Sequence, residues 1–148
     1  MEQVMLLAQR AVQAMNGGLI TVVPALDVAK AYDNVWHAGL VRQCLEVLPP
    51  PAARWIAAFL RDRSASVLED GCISSEFRTL AGVPQGSPLS PLLYAIFTRT
   101  MPLPRRPHLG ATVYADDIAM WATASSPPEA WAILQPQLDE LRAWGNRW

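Results

Sequence analysis

A mixed α/β (α+β) fold is what this 148-residue sequence predicts, and three observations carry it. Stretches with apolar residues at helical spacing alternate with short β-branched runs, and Gly, Pro, Asn or Asp clusters separate most of them. Half of the chain, 51%, is apolar, enough for one compact domain with a real core. No internal repeat is present.

Taken in order, Val4, Met5, Leu7, Ala8, Ala11 and Val12 recur at helical spacing, so Glu2 to Met15 forms a helix that Asn16-Gly17-Gly18 stops. LITVVPALDV, residues 19–28, suits a buried strand ending near Asp27, with Pro24 pointing to an edge position or a bulge. Asp33 or Asn34 caps a helix through VWHAGLVRQCLEVL, and Pro49 to Pro51 stop it before a second helix, AARWIAAFLRDR. Ser64–Leu68 and Glu76–Ala81 form a strand pair around the turn EDGCIS. PLSPLLYAIFTRTM is an apolar helix with Ser87 and Pro88 at its start, and PLPRRPHLG is a loop with nothing regular in it. ATVYA and IAMWAT flank Asp116 and Asp117, which sit at or beside the turn of a hairpin. The last segment, residues 125–148, is a helix opened by the capping pattern Ser126 with Glu129 and interrupted by Pro136.

The composition excludes several classes. The N-terminal segment has no basic start and no uninterrupted apolar core, and no apolar run is long enough for a membrane span, so the expectation is a soluble protein, intracellular, nuclear or cytoplasmic. Cys44 and Cys72 have no metal-ligand spacing and are read as buried or half-buried thiols. The net charge is −1, and Lys30 is the only lysine among 12 basic residues, so composition forces no basic face for nucleic acid.

The chemistry is in the carboxylates. Asp116 and Asp117 repel each other inside an apolar run, and Asp27 ends another such run. An acidic dipeptide at a turn can simply cap backbone N–H groups, so the pair alone leaves two readings open. Strand-borne carboxylates at two places call for a cation, and a hard ion such as Mg²⁺ takes oxygen ligands while keeping positions for water and phosphates. That donor chemistry suits phosphoryl transfer at two metals roughly 4 Å apart.

Three stretches carry a family likeness. LDVAKAYDNVWHAGL (Leu26–Leu40), AGVPQGSPLSPLLYAIFT (Ala81–Thr98) and YADD (Tyr114–Asp117) resemble, in order and spacing, motifs A, B and C of reverse transcriptases. The likeness is to the non-LTR, LINE-like retrotransposon branch more than to group II intron or retron enzymes. RNA-directed RNA polymerases more usually have Gly where Ala115 stands. FLRDRSASV and GCISSEFRTL resemble the family's linking segment, so the likeness covers nearly the whole chain. It implies that residues 1–148 are a partial reverse transcriptase domain: a palm-type antiparallel sheet with helices on one face, part of the fingers and no thumb.

The resemblance also implies roles. Asp27 is the metal-binding aspartate of motif A, Asp116 the second shared ligand and Asp117 the acidic partner near the primer end. Tyr32 falls on the aromatic position that leaves no room for a ribonucleotide's 2′-hydroxyl. Lys30 and Ala31 lie where backbone groups meet the nucleotide's phosphates, and Gln85 and Gly86 match the turn that meets template and nucleotide. The implied activity is RNA-directed DNA polymerisation with Mg²⁺ or Mn²⁺. Its implied partners are an RNA template, a DNA primer, deoxynucleoside triphosphates and other segments of a longer polyprotein.

Departures temper this. The family's later motif begins where LRAWGNRW ends, and Lys30 leaves no second lysine for the one that relatives use on the leaving group. Pro24 stands in place of an apolar strand residue and Thr100 in place of an aspartate, as in a decaying copy. The expectation is therefore a core that is weak or inactive alone, the alternative being a non-catalytic remnant that binds nucleic acid or protein. Trp55, Trp131 and Trp144 are read as core, His37 as a surface or packing residue, and Arg105 with Arg106 as a solvated loop pair.

Overall fold

The computed structural model describes residues 2–148. In chain order its elements are α1 (Glu2–Asn16), β1 (Ile20–Val22), β2 (Ala25–Asp27), α2 (His37–Val47), α3 (Pro50–Leu60), β3 (Ser64–Ala65), β4 (Leu68–Glu69) and β5 (Cys72–Ile73). There follow β6 (Phe77–Arg78), α4 (Ser90–Thr98), β7 (Arg105–Arg106), β8 (Leu109–Tyr114), β9 (Asp117–Ala124) and α5 (Pro127–Gly145). The chain divides into two compact units, one built from the chain up to Ala29 together with Thr100–Trp148, the other from Lys30–Arg99.

The first unit is an antiparallel sheet in which β7, β8 and β9 are neighbours and both β1 and β2 pair with the free edge of β9. β1 and β2 keep one register along β9, with Val22 opposite Ala122 and Ala25 opposite Ala119. Pro24 has no N–H to give the ladder and parts the two strands, yet its carbonyl still accepts the Met120 N–H at 3.1 Å. The single strand expected here is thus two short pieces on an edge, without the extra residue of a bulge. Ile118, Met120 and Ala122 of β9 alternate inward with Leu109 of β8 and pack on Ala130, Leu134 and Trp144 of α5. Thr100, a departure in the sequence, accepts the Trp144 indole N–H at 3.1 Å and so anchors a buried tryptophan of the core.

Several local expectations are corrected in this unit. PLPRRPHLG is not wholly irregular, because Arg105 and Arg106 pair with Gly110 and Leu109. Ser126 is the N-cap of α5 but its side chain makes no cap bond; the neighbouring Ser125 hydroxyl donates to Glu129 instead. Pro136 lies inside α5, which runs on as one helix.

In the second unit α2 packs against α3 and α4. Neither Asp33 nor Asn34 caps α2; its N-cap is Trp36, with no side-chain cap bond. The triple proline does more than stop α2, since Pro49 is the N-cap of α3 and Pro50 and Pro51 form its first turn, where a missing N–H costs nothing. The expected strand pair is two short ladders, β3 with β6 and β4 with β5, and the inner one turns through Asp70-Gly71, both at positive φ (48° and 79°), the type I′ pattern. α4 begins at Ser90 rather than at Ser87 or Pro88.

Exposure sorts the tryptophans and thiols. Trp144 is core as expected, but Trp55 and Trp131 are 57% and 46% exposed. Cys44 is buried and Cys72, expected to be at least half-buried, is exposed. Among the described residues no helix is long and apolar enough to cross a membrane.

Candidate active site

The first unit brings Asp27, Asp116 and Asp117 to one end of the sheet. β2 runs antiparallel to β9 with Asp27 directly opposite Asp117, and β8 turns into β9 with Tyr114 opposite Asp117. Residues so paired hold their Cβ atoms roughly 4.5–5.5 Å apart. Leu26, Val113 and Ile118 pack into the core, and Tyr114, Asp27 and Asp117 alternate with them along their strands, so these three stand on the opposite face.

Ala115 and Asp116 form the two-residue turn. Ala115 alone of the two has positive φ, 54°, the pattern of a type II′ turn. A left-handed alanine is strained by about 1–2 kcal/mol, and such strain persists where the surroundings over-determine the turn. Asp116, at the tip, is half-buried, while Asp27 and Asp117 are exposed.

Like charges directly opposite across a ladder destabilise it. Among the described residues no Arg, Lys or His forms an ion pair with any of the three carboxylates. Nor, among the described residues, are three or more His, Cys, Asp or Glu side chains grouped so that they could hold a metal ion by themselves. The donor set still fits a hard cation, because Mg²⁺ is characteristically held by one or two carboxylates and completes its shell with water and substrate phosphates.

The other expected residues lie in the second unit, tied together by a compact set of bonds. The turn that contains Lys30 (φ 51°) and Ala31 leads to Tyr32, whose carbonyl accepts the Val83 N–H at 2.7 Å, while the Val35 carbonyl accepts the Gly82 N–H at 2.9 Å. Tyr32 stacks on Tyr94 of α4 with ring centres 4.9 Å apart. Gln85 donates from Nε2 to Asp33 Oδ1 at 2.9 Å, and Gly86 turns the chain at φ 84°. Ser90 Oγ donates to the Pro84 carbonyl at 2.5 Å, which fixes this turn to the start of α4.

Three of these partners were not legible in advance, Gly82, Asp33 as a partner of Gln85, and Tyr94, whereas His37 was read as a surface or packing residue. Gly82 is obligatory, since its φ is +91° and a Cβ there would lie 2.8 Å from the Asp33 carbonyl oxygen. His37 donates from Nε2 to the Gly82 carbonyl at 2.7 Å, a packing role with a definite partner. The usable signal was the glycine just before Val83-Pro84; nothing in the sequence paired Asp33 with Gln85.

A carboxylate-bearing hairpin flanked by an edge strand with its own aspartate, on an antiparallel sheet backed by a helix, is a polymerase palm arrangement. The family model described as reverse transcriptase (RNA-dependent DNA polymerase) matches residues 2–148, and the chain belongs to that family. Polymerases of this family are generally divalent-metal dependent.

Particular relatives narrow the branch to non-LTR retrotransposons. The chain is 42% identical over 130 residues to an RNA-directed DNA polymerase from mobile element jockey of Drosophila funebris, a match covering 83% of this chain and 14% of that protein. It is 35% identical over 153 residues to a probable RNA-directed DNA polymerase from transposon BS of Drosophila melanogaster, covering 99% of this chain and 17% of the relative. A Pol polyprotein from the type-2 retrotransposable element R2DM of Drosophila melanogaster is 31% identical over 107 residues, 66% of this chain and 10% of the polyprotein. The chain thus spans less than a fifth of the length of each of these relatives.

Proposed function

We propose that this chain carries the palm core and part of the fingers of an RNA-directed DNA polymerase, which adds deoxynucleotides to a DNA primer along an RNA template. The observation that carries the reading is the register setting Asp27 opposite Asp117, with Asp116 in the adjoining two-residue turn. Family membership and the printed names of the relatives support it.

In this reading Asp27, Asp116 and Asp117 hold Mg²⁺, or Mn²⁺ in its place. When bound, the metal lowers the pKa of the primer 3′-hydroxyl and neutralises charge on the triphosphate. The chain's own contribution is placement. Asp27 and Asp117 stand on paired strands, so they need little ordering when substrate arrives.

Tyr32, steadied by Tyr94, bears on the sugar and refuses the 2′-oxygen of a ribonucleotide. Lys30 and Ala31 present backbone groups to the triphosphate. Gln85, its amide held by Asp33, and Gly86, which has no side chain, leave room for the template-paired base. The reaction joins the primer 3′-oxygen to the α-phosphorus and releases pyrophosphate, with other segments of a longer polyprotein supplying further template and primer contacts.

Primer extension on an RNA template with Mg²⁺ or Mn²⁺, beside a D116A/D117A control, tests the reading. Weak extension that the control abolishes is the expected result, since the chain is a small part of the length of its relatives. No extension by wild-type protein shown to be folded overturns it in favour of a non-catalytic module that binds nucleic acid or protein.

A further inference from the structure

Arg10 of α1 and Arg105 and Arg106 of β7 line one cavity of about 480 Å³ in the first unit, whose walls also include Leu6, Gly110 and Trp121. These are three of the five basic side chains of that unit, the others being Arg142 and Arg147. Among the described residues none of the three has an ion-pair partner, and no Asp or Glu lines the cavity. In a chain of net charge −1, three arginines bordering one cavity without a counter-charge repel one another, and an anion relieves that repulsion.

The cavity also has an aromatic border. Trp121 is 7% exposed, and its ring lies over Gly110 so closely that a Cβ there would meet it at 2.2 Å. The glycine gives the indole its room, and the ring is held so firmly that only a small part of it borders the cavity. Guanidinium forks match phosphate oxygens in bidentate geometry, and the small exposed part of the indole gives an apolar border beside them. The volume is in the range of pockets for organic ligands, which begin near ~300 Å³, rather than that of a bare phosphate ion.

We propose that this cavity binds a phosphate ester of single-stranded nucleic acid, with the phosphate against Arg105, Arg106 and Arg10 and the nucleoside against Trp121. No divalent metal takes part, so the site stands or falls independently of the polymerase reading.

The test is fluorescence anisotropy of the 148-residue chain with a labelled single-stranded RNA oligonucleotide in EDTA, over a salt series. R105Q/R106Q is expected to weaken binding about tenfold or more and to reduce the salt slope by roughly 1.4, about 0.7 for each lost phosphate contact on a single strand. R105K/R106K is expected to restore part of the affinity by charge alone. Arg10→Gln, on a different element, gives the same direction of change should the double variant lose its circular dichroism. Unchanged RNA affinity in folded Arg→Gln variants overturns the proposal. So does tripolyphosphate that displaces RNA at equal phosphate concentration, because that result assigns the cavity to free polyphosphate.

Discussion

Asp27 and Asp117 oppose each other across two strands, and among the described residues no basic side chain forms an ion pair with either, so the ladder carries a repulsive pair that folding alone does not require. Asp117→Asn is expected to raise stability to chemical denaturation by about 0.2–1 kcal/mol at low salt while sharply lowering primer extension. A stability loss would show that the carboxylate serves the fold. The aspartates were legible because a carboxylate within an apolar run has no local purpose. Which aspartate faces Asp27 was not, because register between segments ninety residues apart is set by the whole sheet. The expected cap at Asp33 failed for a related reason: its carboxylate is taken by Gln85 from a distant turn. The two thiols give a second expectation. Burial pushes the Cys44 thiol up and leaves Cys72 in contact with solvent, so a thiol reagent labels Cys72 rapidly and Cys44 only on unfolding. The unfolded chain's thiol ionises at the ordinary value, about 9.0, below that of folded Cys44, so this group's contribution is intact below that pH and declines as pH rises past it. Fast labelling of both thiols in native protein would contradict the burial.

At the scale of elements, period and punctuation located most helices and the main hairpin, and what they missed depends on partners. Arg105-Arg106 becomes β7 only because β8 offers an edge to pair with, and a two-residue strand has no periodicity to read. Pro24 was legible as an edge signal, yet only the pairing with β9 shows that the register continues past it. Helical spacing alone put Trp55 and Trp131 in the core, although spacing says which residues share a face and not whether another element covers it. Gly110 lies beneath Trp121 with no room for a side chain, so Gly110→Ala is expected to destabilise the protein by about 1–3 kcal/mol through overpacking. Thermal or urea unfolding measures it, and an unchanged midpoint would mean that the indole has another place to lie.

The whole molecule shows much apolar surface. Leu80, Ile73, Met15, Leu68 and Met5 are each more than 60% exposed, and exposed apolar side chains favour association. The expected outcome is concentration-dependent self-association in light scattering; a monodisperse monomer at high concentration would contradict it. At this scale the family was legible in full, because motifs A, B and C fall on one edge strand, one helix-leading turn and one hairpin, places where backbone geometry restricts residue choice. The division into two units was not legible, since the chain crosses between them at Ala29–Lys30 and Arg99–Thr100 without a linker composition. The central claim is that Asp27, Asp116 and Asp117 hold one divalent-metal site, and iron(II) substituted for Mg²⁺ tests it most directly by cutting the backbone through locally generated hydroxyl radicals. Cleavage beside Asp27 and again between Tyr114 and Ile118, both lost in D116A/D117A, is the expected result. Cleavage at only one of the two segments, or cleavage that persists in the variant, would contradict it.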